Sequence, residues 1–341
     1  MSRPSGTVEH DAMLTTAVEA VAEACGVARL VQHDLERVGR LTKDDRSPVT
    51  VADFAVQAII AIALRRGFGE VHLVGEESAA SLRDPANAAL LEEVVTAVRR
   101  YEPDIDAGDV MAAIDAGDHD GRADGFWTLD PVDGTKGFLR GQQYAIALAR
   151  IEGGEVQLGV MGCPNLAAGS TGDPAIADAI GTVFAATRGG GAWAVDPVDP
   201  TRRSVIHATT TRDGATVRLC ESVESSHTRH DHAARILEHL GYERTSVQLD
   251  SQAKYAVVAR GQSDLYLRMP TSATYVEKIW DHAAGALIAT EAGAIVTDIT
   301  GRDLEFSHGR RLEKNRGVVC AAPDVHARVI EAIGALGLSS R

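Results

Sequence analysis

The apolar pattern of this chain changes character once along its length, near a polar, Pro-containing passage at residues 196–203. Upstream, residues 144–151 and 155–161 flank Gly153-Gly154, and a further pair of apolar runs between Val183 and Val195 flanks Gly189, Gly190 and Gly191. Both patterns predict strands joined by tight antiparallel turns. Downstream, helical segments predicted at 231–240, 251–260 and 282–292 alternate with short strands, the last two closed by Gly261 and Gly293. With 341 residues the chain exceeds the size at which one hydrophobic core stops growing. The switch therefore predicts two lobes, an α+β lobe over residues 1–200 and an α/β lobe over 201–341.

The first lobe also carries helices. Leu14, Ala17, Val18, Val21, Ala24, Ala28, Val31, Leu35 and Val38 follow the helical period and predict an amphipathic helix over about 11–41. A polar loop then leads through Pro48 into a second helix marked by Ala55, Ile59, Ile62 and Leu64, with Asp53 near its start. A strand at 71–74 delivers Gly75, Glu76 and Glu77 in a loop, and Leu91, Val94, Val95 and Val98 mark another helix.

Charge narrows the partners. Lys and Arg total 34 against 48 Asp and Glu, a formal net charge of −14, which disfavours nucleic-acid backbones and anionic membrane surfaces. Cys25, Cys163, Cys220 and Cys320 form no C-x-x-C pair, so a zinc ribbon or disulfide framework is not indicated and a reducing cytoplasm fits best. No apolar run is long enough to span a membrane, and the first residues have no signal-peptide core. Residues 104–133 hold nine aspartates and one basic residue, Arg122, so more than half of the net charge is concentrated there.

Within that stretch lies Asp130-Pro131-Val132-Asp133-Gly134-Thr135. Two carboxylates straddle a proline-stiffened turn, and the glycine lets the chain fold so that Thr135 points to the same place. Asp130, Asp133 and the Val132 carbonyl, joined by acids from elsewhere, suit Mg²⁺, which takes oxygen ligands and keeps some waters. Two aspartates alone are more often an Asp-rich surface turn. Asp53, Glu76, Glu77 and Asp281 add acids at element ends, although Asp281 is also an N-cap candidate and Asp53 also suits a helix dipole.

These strings, with Gly75-Glu76-Glu77 and Trp280-Asp281-His282-Ala283-Ala284-Gly285, resemble the inositol monophosphatase superfamily of Mg²⁺-dependent, lithium-sensitive phosphatases. The segments 47–53, 133–141 and 249–255 are similar to its 3'(2'),5'-bisphosphate nucleotidase branch. The resemblance runs from about Leu14 to Ala322. It implies a layered αβαβα sandwich of the inositol monophosphatase and fructose-1,6-bisphosphatase type, an α+β and α/β fold. It further implies two to three Mg²⁺ ions held by Glu76, Asp130, the Val132 carbonyl, Asp133 and Asp281, with Asp53 joining a further ion. Thr135 would orient the attacking water and Asp53 take its proton, while Glu77 stands beside the ligands. Adenosine 3',5'-bisphosphate is the implied substrate, contacted by Thr135, His227, Ser251, Lys254, Arg268 and Asp281.

The residues themselves agree in part. Ser251 and Lys254, spaced i and i+3 at a predicted helix start, can offer a hydroxyl, an ammonium and free N–H groups to an anion. Arg268 suits a base or a phosphate. His227, between Ser226 and Thr228 and near His230 and His232, reads on the residues alone as a loop histidine. Asp104, Asp106 and Asp109 fall outside the resemblance and are expected in a solvated loop. An inositol phosphate phosphatase of the same superfamily and a catalytically silent nucleotide or metal sensor are the rival functions. Monomer and homodimer both remain open.

Overall fold

The structure, a computed structural model, describes residues 5–38, 47–209, 216–223, 230–270, 272 and 274–339. Two long helices, α1 (Ser5–Val38) and α2 (Ser47–Phe68), pack on each other and cover one face of a seven-stranded sheet. That sheet has the order β1 to β7: Leu73–Gly75, Gly125–Asp133, Ala145–Glu152, Glu155–Cys163, Thr182–Thr187, Gly191–Val195 and Arg203–Val205. Only β1 and β2 run parallel; the later neighbours are antiparallel. Between β1 and β2 lie α3 (Ala88–Val98) and α4 (Ala107–Asp115), and α5 (Thr135–Leu139) follows β2.

A five-stranded sheet follows, ordered β11-β12-β10-β8-β9. Its strands are β8 (Thr216–Glu221), β9 (Glu243–Gln248), β10 (Leu265–Arg268), β11 (Ile295–Thr297) and β12 (Val318–Ala321). The helices of this half are α6 (His230–His239), α7 (Ala253–Ala259), α8 (Ala283–Glu291) and α9 (Pro323–Ala335). Here α8 packs on β3 to β6 of the first sheet while α7 packs on β8, β10 and β12 of the second, so this helix pair is the middle layer. On the far side α6 and α9 close the second sheet. The layers are therefore α, β, α, β, α, with one apolar core under each outer helical layer and a middle core, built around α7 and α8, that fills the two interfaces on either side of that pair. Residues Ala283 to Ala289 of α8 are all buried, as a helix sandwiched between two sheets requires. Among the described residues no helix is long and apolar enough to cross a membrane.

Local chemistry accounts for the elements. The β3–β4 turn is Gly153-Gly154 with φ of 57° and 79°, the paired left-handed conformation of a two-residue hairpin loop, and Gly189 at φ 71° serves the β5–β6 turn. Three expectations are corrected. The second helix begins at Ser47, so Pro48 lies in its first turn, where a missing N–H costs nothing, and Asp53 falls on the second turn rather than near the start. Asp106 and Asp109 are not loop acids: the Asp106 side chain caps α4 by accepting the Asp109 N–H at 2.9 Å, and Asp109 favours the positive end of that helix. The helix expected over 251–260 is shorter, Ala253–Ala259, and leaves Ser251 outside it.

Candidate active site

The site begins at a defect in β2. Asp130 pairs with Ala147 and Asp133 with Ala145, so three steps on β2 oppose two on β3. In a regular strand residues three apart face opposite ways; the extra residue of the bulge brings both carboxylates to one cavity, and Pro131 fits because the interrupted ladder needs no donor there. Gly134 at φ 90° then turns the chain into α5, with Thr135 as its first residue and exposed. A Cβ at Gly134 would come 2.8 Å from Ser251 Cβ, so the two halves meet closely at this turn.

Glu76 arrives from the neighbouring strand, since β1 runs parallel to β2 with Gly75 beside Leu129. Its carboxyl faces that of Asp130. Buried Gln57 of α2 fixes this loop: its amide donates to the Glu77 and Ile114 carbonyls at 2.8 and 2.7 Å, and its carbonyl accepts the Glu77 N–H at 3.1 Å. Asp281 comes from the other half, just before α8, whose N-cap is His282 without a side-chain bond. Asp281 therefore caps nothing and lines the cavity instead. Glu76, Asp130, Val132, Asp133, Thr135, Ser251, Lys254, Arg268 and Asp281 all line this one cavity of about 450 Å³.

The acids oppose one another's ionisation. Burial, then Asp281, Glu77 and Asp133, push Glu76 up to about 7. Burial, then Glu76, Asp133, Asp281 and Asp53, hold Asp130 well above the carboxylate range. Asp281 is pushed up to about 6 by burial although Arg268 and His282 pull it down. Asp53, half-buried on α2, is raised by burial and by Glu77 and Glu76, so it stands beside the cluster without lining the cavity. Among the described residues no hydrogen bond joins Asp53 to Thr135. Asp130 Oδ1 is buried with no hydrogen-bond partner. Hard oxygen donors, an orphaned carboxylate oxygen and mutual repulsion together fit a divalent cation such as Mg²⁺.

The recognition residues are arranged differently from expectation. Ser251 has φ 71°, the one non-glycine with positive φ among the described residues, a strain of the kind kept at functional sites. The free N–H groups expected at the start of α7 are already used: Gln252 N–H donates to Asp133 Oδ2 at 2.6 Å and Ala253 N–H to Ser251 Oγ at 3.2 Å. Lys254 reaches the cavity wall with its ammonium donating to the Leu249 and Ser251 carbonyls at 3.2 and 2.6 Å, and burial lowers its pKa. Arg268 on β10 is held flat by Glu277, Nε to Oε1 at 3.1 Å and the terminal nitrogen to Oε2 at 2.8 Å, and lies 3.6 Å from Asp281. His227 lies outside the described residues.

Glu277 and Gln57 escaped the sequence reading. Glu277 is almost fully buried and also meets His282 Nε2 at 3.3 Å, while His282 Nδ1 meets the Tyr255 hydroxyl at 2.8 Å. Arg268 and His282 overcome its burial and hold the Glu277 carboxyl down at about 2. Its sole signal in the chain is an acid four residues before Asp281, which no pattern distinguishes from a surface glutamate.

Residues 9–337 match the inositol monophosphatase family. The chain belongs to that family. It is similar to the 3'(2'),5'-bisphosphate nucleotidase of Schizosaccharomyces pombe, at 39% identity over 346 residues covering 96% of this chain and 97% of the relative. The enzyme of that name from Oryza sativa is 38% identical over 349 residues, covering 98% and 96%. Among solved structures, Mycobacterium tuberculosis SuhB superposes with a TM-score of 0.60 at 21% identity, covering 96% of this chain and 98% of that one. An inositol monophosphatase from Zymomonas mobilis gives 0.61 at 18% identity, covering 97% and 100%. At these identities the structures speak to the fold, which is the same layered α+β sandwich.

Proposed function

We propose that the chain is a Mg²⁺-dependent 3'(2'),5'-bisphosphate nucleotidase: it hydrolyses the 3'-phosphate of 3'-phosphoadenosine 5'-phosphate, with water, to AMP and phosphate. The observation that carries this reading is the convergence on one cavity of Glu76, Asp130 and Asp133 from the first sheet with Ser251, Lys254, Arg268 and Asp281 from the second half. Acids alone would repel a bisphosphate; the cationic side chains of Lys254 and Arg268 in the same cavity supply the complement.

Glu76, Asp130, Asp133, Asp281 and the Val132 carbonyl would hold two to three Mg²⁺ ions, with Asp53 reaching a further one. Bound there, the ions would neutralise the phosphoryl group and lower the pKa of a coordinated water. Thr135 would orient the attacking water through its hydroxyl and Asp53, its carboxyl raised by burial and by the neighbouring Glu77 and Glu76, would take the proton. Lys254 and Ser251 receive the second phosphate, and the Arg268 guanidinium, its plane fixed in one orientation by Glu277, stacks on the base. His227 joins them by family resemblance. On this reading the catalytic lobe of residues 1–200 and the recognition lobe of 201–341 meet at the substrate. The sulfated precursor is hydrolysed too, lithium inhibits by competing for a cation position, and the enzyme clears a by-product of sulfate assimilation in the cytoplasm.

Phosphate release from 3'-phosphoadenosine 5'-phosphate and from inositol 1-phosphate, each with and without Mg²⁺, tests the assignment. Preference for the nucleotide by at least tenfold in kcat/KM is expected. Equal or faster release from the inositol ester would overturn it in favour of an inositol phosphate phosphatase, and no release from either would favour a silent sensor.

A further inference from the structure

Glu76 and Asp281 reach the cavity from segments far apart in sequence, and one side chain touches the residue preceding each. Arg310 donates from one guanidinium nitrogen to the Gly75 carbonyl and from another to the Gly117 and His119 carbonyls at 3.3 and 3.0 Å. The same guanidinium lies 4.9 Å from the centre of the Trp280 ring. Gly75 precedes Glu76, and Trp280 precedes Asp281. The main chain of Arg310 is tied to the Asp281 side as well: its carbonyl accepts the Ile279 N–H at 3.3 Å, and Leu312 N–H donates to the Glu277 carbonyl at 2.9 Å. Residues 310–312 thus lie along residues 277–279, and from there the Arg310 side chain reaches across to the loop of the first sheet.

We infer that Arg310 is a positioning residue that holds the Glu76-bearing and Asp281-bearing segments at the separation a shared cation requires; this rests on the metal reading above. Among the described residues Arg310 makes no ion pair with Glu76 or Asp281, so its effect passes through the backbone carbonyls and the indole. A guanidinium suits this role because its donors are spread over a rigid plane that also stacks, whereas an ammonium offers its donors from one atom. Gln57 secures the opposite side of the same loop, through Glu77 and Ile114, and does not reach the Asp281 segment.

The sign of one measurement separates positioning from charge. Deleting a cationic side chain beside an acid cluster should, by electrostatics alone, tighten divalent binding; loss of positioning should weaken it. Binding of Mn²⁺ to the full-length wild-type, R310K and R310A chains, followed by the electron paramagnetic resonance signal of the free ion, reads this directly. We expect both variants to bind about 10–100-fold more weakly, as replaced outer partners of metal ligands do, with unchanged circular dichroism. Unchanged or tighter binding in R310K, which preserves the charge and serves as the deciding variant if R310A does not fold, would overturn the inference. Failure of the wild-type chain itself to bind Mn²⁺ would overturn the metal reading instead.

Discussion

The Gln252 backbone N–H donates to Asp133 Oδ2 over 2.6 Å. The same residue's side-chain amide donates to the Trp280 carbonyl at 2.9 Å. One residue ahead of α7 therefore holds an acid of the first sheet and the segment carrying Asp281. Asp133→Asn retains an acceptor for Gln252 but loses the charge, whereas Asp133→Ala loses both. Both should lower kcat by at least about 10²–10³-fold, the size of a several-kcal/mol loss of cation stabilisation. Thermal melts should show Asp133→Asn the more stable of the two. Turnover of Asp133→Asn within tenfold of wild type would contradict the site.

The raised acids make the metal-free chain sensitive to pH. Glu76 rises from 4.5 to about 7 and Asp281 from 3.8 to about 6, so both bind protons when folded that they release when unfolded. Stability of the metal-free chain should therefore fall as pH rises from about 4 to about 7, and level off above. Mg²⁺ bound by these acids would replace those protons. The increase in melting temperature on adding saturating Mg²⁺ should be larger at pH 8 than at pH 5, and an equal increase at both would count against the cluster.

Glu277 works with the opposite sign. Its carboxyl is held at about 2 against an ordinary 4.5, so its contribution to stability is complete above 4.5 and is lost as pH falls toward 2. Glu277→Gln leaves Arg268 with only the more distant Asp281 at 3.6 Å as a charged partner and should cost about 3 kcal/mol in urea denaturation, the lower end of the effect of breaking a buried pair from one side. KM for the nucleotide should rise as the guanidinium loses its fixed plane. A loss below 1 kcal/mol with unchanged KM would show that Arg268 is held by something else.

Two glycines separate backbone strain from site geometry. Gly153, at φ 57°, has open space where a Cβ would go, while a Cβ at Gly134, at φ 90°, meets Ser251. Gly153→Ala should cost about 1–2 kcal/mol and leave activity intact. Gly134→Ala should carry the same strain and also displace Ser251, lowering kcat/KM by tenfold or more. Equal activities in the two variants would refute the close approach of the halves at this turn.

The antiparallel turns and the acid cluster were legible where local chemistry and tertiary placement agree, and the layered order of the fold through the family resemblance alone. Gly153-Gly154 can hardly be other than a turn, and Asp130 and Asp133 flank a proline whose missing donor suits a bulge. Asp53 was placed too near the helix start because Pro48 reads as the end of a loop when it is in fact part of the first helical turn. Asp106 was read as a loop acid because capping depends on one N–H three residues on, which composition does not reveal. Lys254 and Arg268 were found by resemblance, but the carbonyls and the Glu277 carboxylate that hold them come from positions with no periodic relation to either. Long-range pairings of this kind, like those of Gln57 and Arg310, exist only once the sheets are assembled.

The central claim is that this cavity removes the 3'-phosphate of an adenosine bisphosphate with divalent cations held by acids of both halves. The most direct test is the identity of the nucleotide formed from 3'-phosphoadenosine 5'-phosphate, resolved by chromatography with Mg²⁺ present and with Mg²⁺ chelated. The account predicts adenosine 5'-phosphate as the product with Mg²⁺ and no reaction without it. Adenosine 3'-phosphate as the product, or undiminished turnover under chelation, would contradict it.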